Sequence, residues 1–140
     1  MELVKNAKIG IPAGQFSGGE TFPTFVEAYY SGNSQILAVE NLVALKRLYT
    51  GGTGLGFDDY MTFTFENGGT SVTTAEIETQ FDVCKTKIEG VGNPFSEDIP
   101  TNFGGFSETF QEMKKLVAYT KTDVSAALGI LITFSDTDGD

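Results

Sequence analysis

Between Thr73 and Gly90 the apolar side chains Ile77, Phe81, Cys84 and Ile88 recur at i, i+4, i+7 and i+11. At about 100° per residue this gathers them into one narrow stripe. Thr73 and Glu76 stand at capping-box spacing, and Glu76 and Glu78 fall in the first turns. Lys85 and Lys87 fall in the last turns, and Gly90 follows where a left-handed cap would close the helix. The pattern predicts a helix over about 74–89, with Cys84 as a small core residue. Ile77, Thr79, Phe81 and Val83 also alternate as in a strand, but the caps and the charge order favour the helix.

Outside that stretch the period of two is prominent. Tyr60, Thr62, Thr64 and Glu66 alternate with Met61, Phe63 and Phe65, which predicts a strand over 60–66 ending at the Asn67-Gly68-Gly69 turn. Shorter strands are expected over 7–11, 25–30, 70–72 and 130–134. Residues 35–49 read as two strand pieces, 36–39 and 42–49, the second pairing antiparallel with the 60–66 strand across the glycine loop 50–56; a single helix leading into that strand is the alternative. Residues 91–106 carry prolines and glycines without a period and read as a long surface loop. Over 107–120, Thr109 and Glu112 repeat the capping-box spacing, and Phe110, Met113, Leu116 and Val117 share a face. That places a second helix near 109–118, although 116–120 also reads as a strand. The expected fold is therefore α+β: one domain over 1–140, its mainly antiparallel sheet packed against the 74–89 helix.

Composition narrows the chemistry. The 140 residues carry 19 acidic against 9 basic side chains, a net charge of −10. Such a chain repels phosphate backbones and anionic lipid, so neither nucleic acid nor a membrane is an expected partner. There is no His, which removes Ser-His-Asp and Cys-His nucleophiles, and a single Cys, which removes an internal disulfide. One Cys without His also fails to supply a zinc site. Asp136, Asp138 and Asp140 have the first-ligand spacing of a calcium loop but lack its closing Glu, and read as a solvated acidic terminus. The glycine loop 50–56 lacks the Lys-Ser/Thr of a phosphate loop and is followed by an expected strand. The carboxylate pairs Asp58-Asp59 and Glu97-Asp98 have no partner that sequence can place. No catalytic, cofactor or metal site is predicted. The N-terminus has no apolar signal core, so synthesis and folding in a cytoplasm are expected.

Phenylalanines set among glycines are the unusual pattern: Phe16, Phe57, Phe103 and Phe106. Glycine lets a loop turn an aromatic outward, where it can anchor a neighbouring subunit. These four are the expected assembly contacts; the plain alternative is that they fold back on their own core. The run QILAVENLVALKRLYTGG, then DYMTFTFENGG, then SVTTAEIETQFDVCKTKIEG resembles small virion structural proteins of marine tailed phages, of the capsid-decoration kind. The resemblance covers residues 35–90. It implies a hairpin followed by a helix, no enzyme, and a virion location. The first functional expectation is a non-enzymatic structural subunit that associates with itself as a homo-oligomer or with a viral shell protein. The second is a monomeric recognition module that binds a glycan or surface ligand through its glycine-rich loops.

Overall fold

Ser34, Ala38, Leu42 and Tyr49 are all buried, and they recur at i, i+4, i+8 and i+15, a helical phase. In the structure, a computed structural model that describes residues 1–66 and 72–130, they lie on α1 (Ser34–Thr50). Asn41 answers for its place near the apolar face by donating to the Leu37 carbonyl at 2.6 Å. Gly51 ends the helix at φ 66°, in the left-handed region. The two strand pieces expected over 36–39 and 42–49 are therefore one helix, and the hairpin expected across the glycine loop does not form.

The strand expected over 60–66 is also helical: α2 spans Phe57–Glu66. Asp58 and Asp59 in its first turn complement the dipole, and the Asp59 carboxylate accepts from the Gly56 N–H at 2.8 Å. The threonines that suggested a strand bond back to their own helix, Thr62 to the Asp58 carbonyl and Thr64 to the Met61 carbonyl, each at 2.9 Å. Met61 is the buried side chain, set against the Tyr49 hydroxyl through its sulfur at 3.5 Å.

α3 spans Thr74–Gly90, and its four stripe residues, Ile77, Phe81, Cys84 and Ile88, are buried. The capping box forms in both directions: the Glu76 N–H donates to Thr73 Oγ1 at 3.3 Å and the Thr73 N–H to Glu76 Oε2 at 2.8 Å. The Thr73 N–H and the Thr73 hydroxyl, both donating to Glu76 Oε2 at 2.8 Å, hold the Glu76 carboxyl below its ordinary pKa. Gly90 is the last helical residue rather than a left-handed cap. The carbonyls of Ile88, Glu89 and Val91 instead accept from the Gln35 amide of α1, at 3.1, 3.2 and 2.5 Å.

The region expected as a long loop holds α4 (Phe95–Asp98) and the start of α5 (Phe103–Ala118). α5 begins before Thr109 because Asn102 caps it, accepting from the Gly105 N–H at 3.2 Å. A Cβ at position 105 would lie 2.6 Å from that amide oxygen, so a larger residue there would make the Asn102 side chain shift. Thr109 is buried in mid-helix and donates to the Gly105 carbonyl at 2.8 Å. A π-wound turn, Tyr119–Val124, and the short α6 (Ser125–Ala127) follow.

The strand expected over 7–11 is a π-wound N-terminal helix, Val4–Gly10, which buries Val4, Lys8 and Ile9 on its wider turn. Buried Lys8 pairs with the Glu27 carboxylate. Over 25–30 the chain forms the end of a single turn, Pro23–Phe25, and then bends. The Asn67-Gly68-Gly69 turn, most of the 70–72 and 130–134 strands, and Asp136, Asp138 and Asp140 lie outside the described residues.

Among the described residues every element is helical, so the expected antiparallel sheet is replaced by a bundle. Antiparallel α1 and α3 are tied by Lys46–Asp82 at 2.7 Å. Antiparallel α3 and α5 are tied by Lys87–Glu108 at 2.8 Å and by Gln80 donating to Glu112 Oε2 at 2.9 Å. The N-terminal helix closes on α5, where the Phe16 ring meets Phe110 edge-on at 5.5 Å. One buried cluster runs from Val4 to Ala127.

Candidate functional site

Val26 is buried and anchors the bend that precedes α1. The Gly32 N–H donates to the Ala28 carbonyl at 2.9 Å, and the Ala28 N–H to Ser34 Oγ at 3.2 Å. Gly32 turns the chain at φ 69°, where a Cβ would press on Pro94 at 3.3 Å. The bend therefore presents Tyr29 and Tyr30 outward, rings edge-on with centroids 5.2 Å apart. Tyr29 is 42% exposed and Tyr30 99%.

The facing wall is Pro94 with Ser96 and Glu97 of α4. Asp98 fixes that wall from behind, accepting from the Gly92 N–H at 2.7 Å and the Asn102 amide at 2.8 Å. Between the walls lies an open groove of about 470 Å³. Its polar groups are two phenols, the Ser31 and Ser96 hydroxyls and the Glu97 carboxylate, and no cation lines it. Flat aromatic faces beside hydroxyl and carboxylate acceptors suit a ligand with C–H faces and many hydroxyls.

The four phenylalanines expected to act together do not meet: among the described residues no ring contact joins any two of them. Phe106 is buried in the core, edge-on to Phe95 at 5.1 Å. Phe16 lies over Phe110 yet stays largely exposed, Phe57 starts α2, and Phe103 starts α5. Tyr29 and Tyr30 escaped the sequence reading, because period-two alternation drew them into a strand. The available signal was two adjacent aromatics just before Ser31-Gly32-Asn33.

The loop 50–56 does lead into a helix N-terminus, contrary to expectation, but Asp59 of the same chain occupies the anion seat there. Both carboxylate pairs stand in first turns of helices, and Asp59 and Asp98 are engaged with backbone N–H groups. The described residues bring together no group of three or more His, Cys, Asp or Glu able to hold a metal ion. No helix among them is long and apolar enough to cross a membrane.

A family model described as imelysin, Peptidase_M75, matches residues 1–127. The chain belongs to the imelysin family. That match, with the helical fold, overturns the resemblance to phage capsid-decoration proteins and the β-rich fold expected with it. No curated protein and no solved structure matches the chain. The imelysin label names a peptidase. A peptidase metal centre takes His and carboxylate ligands around an open position, and this imelysin has no His to offer. Its residues do not fit such a centre.

Cys84 is no nucleophile in waiting. Burial pushes its thiol from 9.0 up to about 12, against a weaker opposing hydrogen bond from Gln80. Burial likewise raises the Tyr49 phenol. In both cases the folded state holds the proton more tightly than the unfolded state. The Cys84 contribution to stability is complete below about pH 9 and is lost as pH rises through about 12, and the Tyr49 contribution begins to fall only above its ordinary value of 10.0. The urea midpoint should therefore stay level to about pH 9 and fall beyond it. Cys84→Ala should flatten part of that fall, leaving the part due to Tyr49. An equally steep fall in the variant would exclude Cys84 as a source.

Proposed function

We propose that this imelysin-family chain is a recognition module without catalytic chemistry of its own, and that it holds a neutral oligosaccharide in the Tyr29–Tyr30 groove. The observation that carries the reading is Tyr30, a large aromatic 99% exposed on a bend held by hydrogen bonds and by close packing on Pro94. Isolated exposed apolar residues are ordinary, but two adjacent rings on a fixed bend beside a hydroxyl-lined groove offer an aromatic face for stacking. Glu97, Ser31 and Ser96 supply acceptors and donors that set the orientation of a bound sugar.

The other class of reading, a self-associating structural subunit, loses Phe106 to the core but keeps Phe16, Phe57 and Phe103 at the surface. Native mass separates the two, since the recognition reading expects a monomer.

The binding test is an array of neutral oligosaccharides followed by calorimetry on the best ligand. One aromatic contact contributes about 0.5–1.5 kcal/mol beyond burial, so Tyr30→Ala should weaken binding roughly two- to tenfold. Leu48→Ser, an exposed position at the far end of α1, should leave it unchanged. An array without a ligand, or equal affinity for Tyr30→Ala, would sink the reading.

A further inference from the structure

The C-terminal end of α1 carries a second groove of a different character. Lys46, Arg47 and Lys85 line it with Asp82, three cations against one carboxylate on a chain of net charge −10. The groove is open and about 860 Å³ in volume. Arg47 is the sole arginine of the chain, and its guanidinium has no hydrogen bond or ion pair among the described residues. It also lines an adjoining groove of about 480 Å³ whose other walls include Leu48, Leu55 and Phe57. Leu48 and Leu55 are 65% and 88% exposed. An unpartnered guanidinium thus stands at the junction of a basic trough and an apolar one.

We infer that these joined grooves bind an acidic, apolar peptide segment of a partner protein, with a carboxylate on Arg47 and an adjacent large apolar side chain against Leu48, Leu55 and Phe57. Guanidinium pairs with carboxylate through two parallel N–H···O bonds, the geometry that favours Arg over Lys at such sites. Lys46 and Lys85 are held at present by Asp82 and Glu89, at 2.7 and 2.6 Å. Exposed pairs of this kind are weak, so a ligand carboxylate can compete for either ammonium. The α1 carbonyl end repels an anion along the helix axis, which directs the carboxylate to the flank between α1 and α3.

The charge pattern also selects the occupant. At physiological ionic strength charges are screened over about 8 Å, so a short peptide in the groove senses the local cations rather than the whole chain. An anionic bilayer is an extended plane and meets the acidic surface around the groove as well. The site lies at the other end of α1 from the Tyr29–Tyr30 groove. For 17 residues that is roughly 25 Å, so the two readings stand or fall separately.

The test is fluorescence anisotropy on the full chain with a labelled Glu-Leu-Glu-Phe-Glu-Leu peptide, its Lys-for-Glu counterpart, and vesicles containing phosphatidylserine. The acidic peptide should bind, and binding should weaken as salt rises. Arg47→Glu should weaken it at least about tenfold, and Leu48→Ser by a smaller factor; Leu48→Ser should leave the melting temperature unchanged, and Arg47→Glu should lower it slightly, because an acidic side chain in the last turn of α1 opposes the helix dipole. Tyr30→Ala should bind the peptide as wild type does. Equal binding of the Lys peptide, undiminished binding by Arg47→Glu, or capture by vesicles in place of the peptide would each overturn the inference. So would a dimer in sedimentation that Arg47→Glu dissociates, since that would make a second copy the occupant.

Discussion

Phe106→Ala is expected to destabilise the protein by about 3–5 kcal/mol, the usual loss for a fully buried phenylalanine. Phe106 has no exposed surface, and its ring meets Phe95 edge-on at 5.1 Å. It shares the inner face of α5 with Thr109, Phe110, Met113 and Leu116. Truncation removes the ring's transfer free energy and leaves a cavity between α4 and α5 that short α4 is poorly placed to fill. Phe103→Ala removes a ring 44% exposed at the helix start and should cost about 1 kcal/mol or less. Urea denaturation of both variants reads the contrast directly. Similar losses at the two positions would show that the helical phase assigned to α5 is wrong. The same experiment bears on assembly, because a core ring cannot also be a subunit anchor.

Gly51→Ala should cost about 2–4 kcal/mol, from two separable causes. Gly51 lies at φ 66°, where a side chain is strained. A Cβ there would also stand 2.4 Å from the backbone carbonyl of Leu55, which cannot move without opening the turn between α1 and α2. Gly52 is the internal control. Its φ is 65°, yet nothing lies within 4 Å of a Cβ built on it. Gly52→Ala should therefore show the strain alone, about 1–2 kcal/mol. The difference between the two thermal or urea midpoints measures the clash. If both variants lose the same stability, the close packing of Leu55 on Gly51 is not present in solution.

The helix α3 was legible in the residues because its signals are local. Thr73 and Glu76 cap it, Lys87 lies in its last turn, and four apolar residues share one phase. Each signal acts within a turn or two of chain and needs no partner to be recognised. α1 and α2 had no such agreement. Their Val, Leu, Thr and Phe residues satisfy a period of two nearly as well as 3.6, and the choice was made by tertiary neighbours. Met61 gains burial against Tyr49 only if 57–66 is a helix beside α1, and the threonine hydroxyls then bond to their own backbone. A strand at the same place would need a paired edge, and no strand exists among the described residues to provide one.

The same division holds at the surface. Phe103 and Phe106 flank the same two glycines, and the packing of α5 on α3 and the N-terminal helix sends one inward and leaves the other at the rim. Tyr29 and Tyr30 were visible as aromatics near a turn, but the groove needs Pro94 and Glu97, more than sixty residues further along the chain. Composition by itself determined that the chain is strongly acidic and has no histidine. It could not show that three of the nine cations line one groove, because that grouping joins two antiparallel helices, Lys46 and Arg47 on α1 with Lys85 on α3. Local sequence sets what a segment can become and which charges it carries; packing between distant segments sets which of those states is buried, and therefore which side chains are left to face a ligand.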